Sequence, residues 1–254
     1  MKRLILIQND FSGAGKTTLS QCLHHFLQSY RVEHHRVAIV ESADQSQPVT
    51  QLEIGTLRRQ AFVAELDRSD LVIMEVESGL GEFFASFYKR NELDNLLPEL
   101  GFELAVLVPV TSDRESFDGV TEAAETFSDS AQFLVVHTPT GSCYDDDERA
   151  WERSYAARVM DMFEAADLDM RATPETLELK LKLSHRELPH AMGEQSADPE
   201  MHQEISKWFR RVASQIETAR NYIFGDAFRP TIAIAPEPKR RSRVKSKVAI
   251  EAAA

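Results

Sequence analysis

The sequence contains little cysteine, few tryptophans and no long hydrophobic run. Cys22 and Cys143 are the only cysteines among 254 residues, and their positions match neither a zinc-binding pattern nor a redox pair. This scarcity fits a protein of the reducing cytoplasm. No apolar stretch approaches the roughly 20 residues that a membrane-spanning helix requires. The apolar run near the N-terminus lacks a cleavage site of small residues, so we expect a strand there and not a signal peptide.

Positive charge is also scarce. The chain has 29 Lys and Arg against 41 Asp and Glu, and the net charge of −12 argues against a surface that binds nucleic acid throughout. The charge is unevenly distributed, because residues 145–148 are an acidic block and residues 239–247 are strongly basic. This asymmetry indicates a basic arm on an acidic body. We therefore predict a single domain over residues 1–225 and a flexible basic tail over residues 226–254.

Five apolar runs without polar alternation predict strands that are buried on both faces of a parallel sheet. They are residues 4–7, 37–40, 71–74, 104–110 and 133–136. The segments between them predict helices over residues 18–30, 57–66, 83–97 and 117–127. This alternation is typical of an α/β fold with a doubly wound, mostly parallel sheet flanked by helices. Farther along, we expect a helix over 147–166, a strand over 175–183 and a helix over 199–222.

A glycine-rich segment joins the first predicted strand to the first predicted helix. Residues 12–18 read Ser-Gly-Ala-Gly-Lys-Thr-Thr. Glycine allows backbone angles that point successive N–H groups into one concavity, and such a turn before a helix can wrap a polyphosphate. Lys16 would reach the β- and γ-phosphates, and the Thr17 hydroxyl would ligate Mg²⁺. Asp10 stands where the full phosphate-loop pattern has a glycine.

Acidic residues follow the predicted strands at the edge of the sheet where ligands gather. Glu75 ends an apolar strand and is well placed to hold Mg²⁺ together with Thr17. Glu41 and Asp44 follow the second strand and are candidates for orienting the attacking water. Each of these acids could instead be a solvated strand end, and for Asp44 the two interpretations are equally open.

Four stretches in the first 140 residues together resemble the ParA/MinD-type P-loop ATPases. Residues 11–18 resemble the family's K-G-G-x-G-K-T-T, residues 36–45 its R-V-L-L-x-D-x-D-P-Q, residues 70–81 its D-Y-V-I-I-D-T-P-P-G-L-G, and residues 108–113 its strand ending in P-V-T-P-D. The resemblance implies a P-loop fold, ATP and Mg²⁺ as cofactors, and a homodimer that forms on ATP binding. It also implies a function in plasmid partition, or in conjugative DNA transfer as in TraL- and StbB-like members.

The glycine-rich segment, the acids after the strands and the resemblance together give the predicted site. Lys16, Asp44 and Glu41 are the predicted catalytic residues, and Thr17 and Glu75 the predicted metal ligands. The residues predicted to bind the nucleotide are Phe11, Ser12, Gly13, Ala14, Gly15, Lys16, Thr17 and Thr18.

The sequence departs from the family pattern at several positions, and Ser12 replaces the first glycine of the family's pair. Phe11 stands where the family has a lysine that crosses to the other subunit's nucleotide. Ala43 falls on the water-orienting aspartate, with Asp44 one place later, and Glu75 replaces an aspartate. Positioning and charge stabilisation supply most of phosphoryl-transfer catalysis, so we expect slow ATP hydrolysis.

Several alternatives remain open at this point. A P-loop enzyme acting on a small molecule, as a kinase or an amide ligase, would need a cleft of convergent polar groups after Gly79.

The basic tail could contact DNA non-specifically, touch anionic lipid or remain solvated, and lipid is disfavoured because no aromatic residue anchors it. A DNA-bound adaptor protein is a further possible partner. The adjacent pairs His24-His25 and His34-His35 are expected to be solvated and not to bind metal.

Overall fold

The computed structural model describes residues 1–44, 47–138, 150–170, 173–183, 188, 191 and 199–231. In this part of the chain, seven strands form one sheet in the order β3-β2-β4-β1-β5-β6-β7, and all neighbouring strands are parallel. The strands are β1 (Lys2–Ile7), β2 (His35–Val40), β3 (Thr50–Glu53), β4 (Leu71–Val76), β5 (Phe102–Val110), β6 (Ala131–His137) and β7 (Ala166–Asp169). The helices are α1 (Lys16–Ser29), α2 (Arg59–Leu66), α3 (Gly81–Arg90), α4 (Leu93–Glu99), α5 (Glu115–Phe127), α6 (Tyr155–Met162), α7 (Glu175–Leu183), α8 (Pro199–Thr218) and α9 (Arg220–Phe224).

Helices cover both faces of the sheet, which confirms the predicted doubly wound architecture. Successive residues of a strand point to opposite faces. Leu4 and Leu6 therefore join the core beneath α2 to α6, whereas Ile5 and Ile7 join the core beneath α1, α7, α8 and α9. Because β1 lies at the centre of the sheet and is apolar on both faces, its carboxyl end is held firmly beside the loop that follows.

Two strands have no counterpart among the predicted elements. The four-residue strands β3 and β7 lie at the two edges of the sheet and read Thr-Gln-Leu-Glu and Ala-Asp-Leu-Asp. Each pairs with a single neighbouring strand, and most of its residues are only partly buried. Neither strand therefore needs the continuous apolar run by which the other five strands were predicted.

The predicted strand over residues 175–183 is wrong, because this segment forms helix α7. Leucine alternates with other residues here, which imitates the period of a strand. In the helix, Leu177 and Leu181 lie four residues apart on the buried face, whereas Leu179 and Leu183 are 58% and 73% exposed. Packing of one leucine pair against α8 therefore prevails over the local alternation.

Three predicted helices are interrupted in the structure. The predicted helix over 83–97 divides into α3 and α4 at Glu92, whose φ of 51° lies in the left-handed region. In the described part of 147–166, residues 150–152 are helical and α6 begins after Ser154, whose hydroxyl accepts a hydrogen bond from the Ala157 N–H (3.0 Å). Strand β7 then begins at Ala166. The predicted helix over 199–222 divides into α8 and α9.

Residues just beyond position 225 pack against the body of the protein. Ala227 is buried, and the Phe228 ring lies 5.3 Å from the Tyr30 ring and 5.6 Å from the Phe224 ring. The acidic block at 145–148 and the basic run at 239–247 lie outside the described residues. Of the helices that the structure describes, none is both long enough and apolar enough to cross a membrane.

Candidate functional site

The loop between β1 and α1 is bent by two glycines. Gly13 and Gly15 have φ angles of 82° and 90°, and Gly15 directly precedes the first residue of α1. These angles disfavour any residue with a Cβ atom. The Thr138 hydroxyl holds the far side of the loop, because it lies 2.9 Å from the carbonyl oxygen of Ala14 and 2.8 Å from that of Val110. The two glycines therefore allow the bend, and the Thr138 side chain after β6 stabilises it.

The backbone amides of this loop are available to a ligand. Within the described residues, the N–H groups of residues 12–18 donate to no protein acceptor, whereas the Phe11 N–H donates to the Asn9 side chain (2.8 Å). The first N–H groups of a helix carry partial positive charge and have no partner within the helix. The loop and the start of α1 thus form a surface of donors suited to an anion.

Lys16 is 6% exposed, and its ammonium group lies beneath the loop. Its Nζ atom lies within hydrogen-bond distance of the carbonyl oxygens of Asn9 (2.5 Å) and Phe11 (3.5 Å) and of Ser78 Oγ (2.6 Å). Burial lowers the pKa of Lys16, and the nearby carboxylates, of which Glu75 contributes most, oppose this effect. A positive charge is therefore held directly against the loop.

Thr17 and Glu75 are joined by a direct hydrogen bond. The Thr17 hydroxyl donates to Glu75 Oε1 over 2.6 Å. Burial raises the pKa of Glu75, and hydrogen bonds from Thr17 and Ser20 and the charges of Lys16 and Arg36 oppose this rise. A hydroxyl and a carboxylate side by side are ligands that Mg²⁺ accepts, with phosphate oxygens and water completing its shell. The described residues contain no group of three or more His, Cys, Asp or Glu that could hold a metal ion alone.

Glu41 and Asp44 follow a strand that does not pair with β1. Both follow β2, which is separated from β1 by β4 in the sheet order. The Glu41 N–H donates to Glu77 Oε2 (2.8 Å), and the Asp44 N–H donates to Gln51 Oε1 (2.5 Å). Lys16, Thr17 and Glu75 are thus brought together, whereas Glu41 and Asp44 lie on a neighbouring part of the same sheet edge.

The remaining predicted loop residues differ in exposure. Phe11 and Thr18 are half-buried, Ser12 is exposed and Ala14 is buried. Sequence reasoning missed the residues that hold the loop in place: Asn9, Asp10, Ser78 and Thr138. Only Asp10 carried a signal, since it occupies the glycine position of the phosphate-loop pattern.

The paired histidines were expected to be solvated, but the structure shows them half-buried. His24 Nδ1 lies 2.7 Å from His34 Nε2, and His35 Nε2 lies 2.7 Å from Glu65 Oε2. Arg36 is close enough to His24 to disfavour a second positive charge there. The histidine pairs are therefore interpreted as structural contacts.

Because of His24, we expect the free energy of unfolding to decrease at acidic pH. Burial, with smaller contributions from Arg36, His34 and His25, lowers the pKa of His24 from 6.5 to about 3. The unfolded chain therefore binds a proton more readily, and stability falls as the pH decreases from 6.5 towards 3. Because His24 is only half-buried, we expect a contribution of about 1 kcal/mol between pH 7 and pH 5. In urea denaturation, His24→Gln should lose less stability over this interval than the wild type, and exposed His202→Gln should behave like the wild type.

Comparison with known proteins gives structural likeness only. No family model matches the chain, and no curated protein matches it. Similar solved structures include MinD cell division protein from Aquifex aeolicus (TM-score 0.43, 12% identity, 84% of this chain and 97% of that chain) and the MinC:MinD cell division protein complex from the same organism (TM-score 0.43, 11%, 84% and 96%). Another is a protein from Borrelia burgdorferi B31 that is assigned to plasmid partition and bound to AMPPNP (TM-score 0.44, 10%, 83% and 99%). At these identities and TM-scores, the likeness assigns no family and carries no argument about function.

Proposed function

We propose that this chain binds ATP and Mg²⁺ through residues 11–18 and acts as a ParA-like, nucleotide-dependent dimeric switch with slow ATP hydrolysis. The observation that carries the proposal is the buried Lys16 ammonium beneath a loop whose amides have no protein acceptor among the described residues. Unpartnered donors and a positive charge lie next to each other there, and a triphosphate supplies the matching acceptors and negative charge.

The residues of the site divide the chemistry between them. The loop amides and Lys16 would hold the phosphates, and Thr17 with Glu75 would hold the metal ion. Bound Mg²⁺ would neutralise charge on the phosphates. The Phe11 side chain cannot contribute positive charge to the γ-phosphate, and Ala43 stands where the family pattern has its water-orienting aspartate. These features favour tight binding with slow hydrolysis.

We infer the binding partners of this chain from its four motifs that resemble the ParA/MinD-type family. A second copy of the chain would bind when ATP is present, and the basic run at 239–247 would contact DNA phosphates without sequence preference. Alternatively, the contact with DNA would pass through an adaptor protein already bound to it. The cellular process would be plasmid partition or stability, or conjugative DNA transfer.

Molecular mass with and without a slowly hydrolysed ATP analogue tests this proposal. With the analogue and Mg²⁺, light scattering should show twice the 28.8 kDa of the monomer. The nucleotide-loaded protein should also be retained on non-specific DNA, less so at higher salt. Truncation before residue 239 should abolish direct retention but leave dimerisation intact. Three results together would contradict the proposal and support the alternative enzyme class. The protein would remain monomeric with the analogue, would not be retained on DNA, and would phosphorylate or ligate a small molecule.

A further inference from the structure

Two consecutive side chains before the loop attach it to two helices. Asp10 Oδ1 accepts a hydrogen bond from the N–H of Gly81, the first residue of α3, over 2.7 Å. Asn9 Nδ2 donates to the carbonyl oxygens of Pro109 and Ser116, both at 2.8 Å, and Ser116 belongs to α5. The start of the loop is therefore hydrogen bonded directly to α3 and α5.

Both attachments depend on a glycine in the facing helix. A Cβ atom at Gly81 would lie 2.6 Å from Asp10 Oδ1, and a Cβ atom at Gly119 would lie 2.5 Å from Asn9 Oδ1. Such distances are shorter than carbon and oxygen can approach without a shift of the backbone or the side chain. Each helix thus contacts the loop at a position where a side chain would separate the two.

Lys16 connects the same loop to the segment that precedes α3. The ammonium group has three protons, and the structure gives it three acceptors, which are Asn9 O, Phe11 O and Ser78 Oγ. Phosphate oxygens that bind Lys16 must displace at least one of them. Ser78 is the acceptor from outside the loop, and it is followed by Gly79, whose φ of 81° marks a bend between β4 and α3.

We propose that Asp10 is a positioning residue that couples the nucleotide state of the loop to α3. Phosphate draws Lys16 away from Ser78, the segment from Ser78 to Leu80 is released, and the Asp10 carboxylate keeps Gly81 and the start of α3 attached to the loop as it adjusts. This inference rests on the proposed function, because it requires a phosphate ligand at Lys16. It explains why an aspartate, which can accept the Gly81 N–H, occupies the glycine position of the phosphate-loop pattern.

Hydrogen exchange with and without AMPPNP and Mg²⁺ tests the coupling, while calorimetry measures binding separately. In the wild type, nucleotide should change the exchange of residues 78–90. Asp10→Ala should still bind nucleotide but lose most of that change, and Asp10→Asn, which keeps an acceptor oxygen, should restore it. Asp113→Ala is the matched control, since Asp113 Oδ1 accepts from the Glu115 N–H (3.1 Å) at the start of α5 without contacting the loop. This control should retain the full response.

Each outcome has a distinct meaning. An Asp10→Ala protein that binds nucleotide and shows the wild-type change in residues 78–90 would overturn the coupling and leave the proposed function intact. A wild type that binds no nucleotide would overturn the proposed function and the coupling together. If Asp10→Ala does not fold, Gly81→Ala provides the same test from the other side, because its new Cβ atom displaces the Asp10 carboxylate.

Discussion

Replacing Lys16 with alanine should weaken ATP binding about 100-fold, or roughly 3 kcal/mol, which is the expected effect of losing hydrogen bonds from a charged donor to two phosphates. Lys16 is the buried cation beneath the loop, and burial both concentrates its field and excludes competing water. The loop amides would remain, so residual binding is expected. Calorimetric titration with a slowly hydrolysed ATP analogue and Mg²⁺ measures the change.

Lys89→Ala is the matched control for this experiment. Lys89 is an exposed lysine in the last turn of α3, so its removal changes the net charge equally without touching the loop. Its affinity for the analogue should equal that of the wild type. Equal affinity of Lys16→Ala and the wild type would contradict the assignment of the site.

Replacing Arg3 with alanine should reduce the free energy of unfolding by about 3 kcal/mol, because several acceptors lose a buried donor at once. Arg3 is 1% exposed and reaches from β1 to helix α9. Its guanidinium donates to the carbonyl oxygens of Tyr222 (2.5 Å) and Ile223 (3.0 Å), and to the side chain of Gln132 (2.6 Å). Urea denaturation measures the loss.

Arg229→Ala provides the comparison for Arg3. Its guanidinium is 3.3 Å from Asp70, and the two side chains are 65% and 52% exposed, so the pair contributes at most about 1 kcal/mol. A similar loss of stability in both variants would show that the contacts of Arg3 with α9 do not hold the C-terminal part of the fold in place.

The fold could be predicted where a buried element is recognisable as a run of apolar residues. Strand β1 and its neighbours β4 and β5 are covered on both faces, so each is a continuous apolar run. The edge strands β3 and β7 lack this constraint and were missed. Helix α7 was mistaken for a strand because alternate leucines satisfy a period of two, and only the packing of Leu177 and Leu181 against α8 selects the helix.

The site could be predicted only as far as local sequence determines it. The loop and Lys16 form a contiguous pattern. Glu75 was expected near the loop because parallel strands end at the same edge of the sheet, and its carboxylate accepts a hydrogen bond from Thr17. By contrast, no local pattern singles out Arg3. Its role, like those of Asp10 and Ser78, depends on residues about 60 to 220 positions away in the chain.

A crystal structure with a slowly hydrolysed ATP analogue and Mg²⁺ would test the central claim most directly. We expect phosphate oxygens within about 2.7–3.2 Å of the amides of residues 12–18. Lys16 Nζ should contact the phosphates and no longer Ser78, and the metal ion should lie at Thr17 and Glu75. A nucleotide bound elsewhere, or a loop whose amides turn inward to protein acceptors in the presence of the analogue, would contradict it.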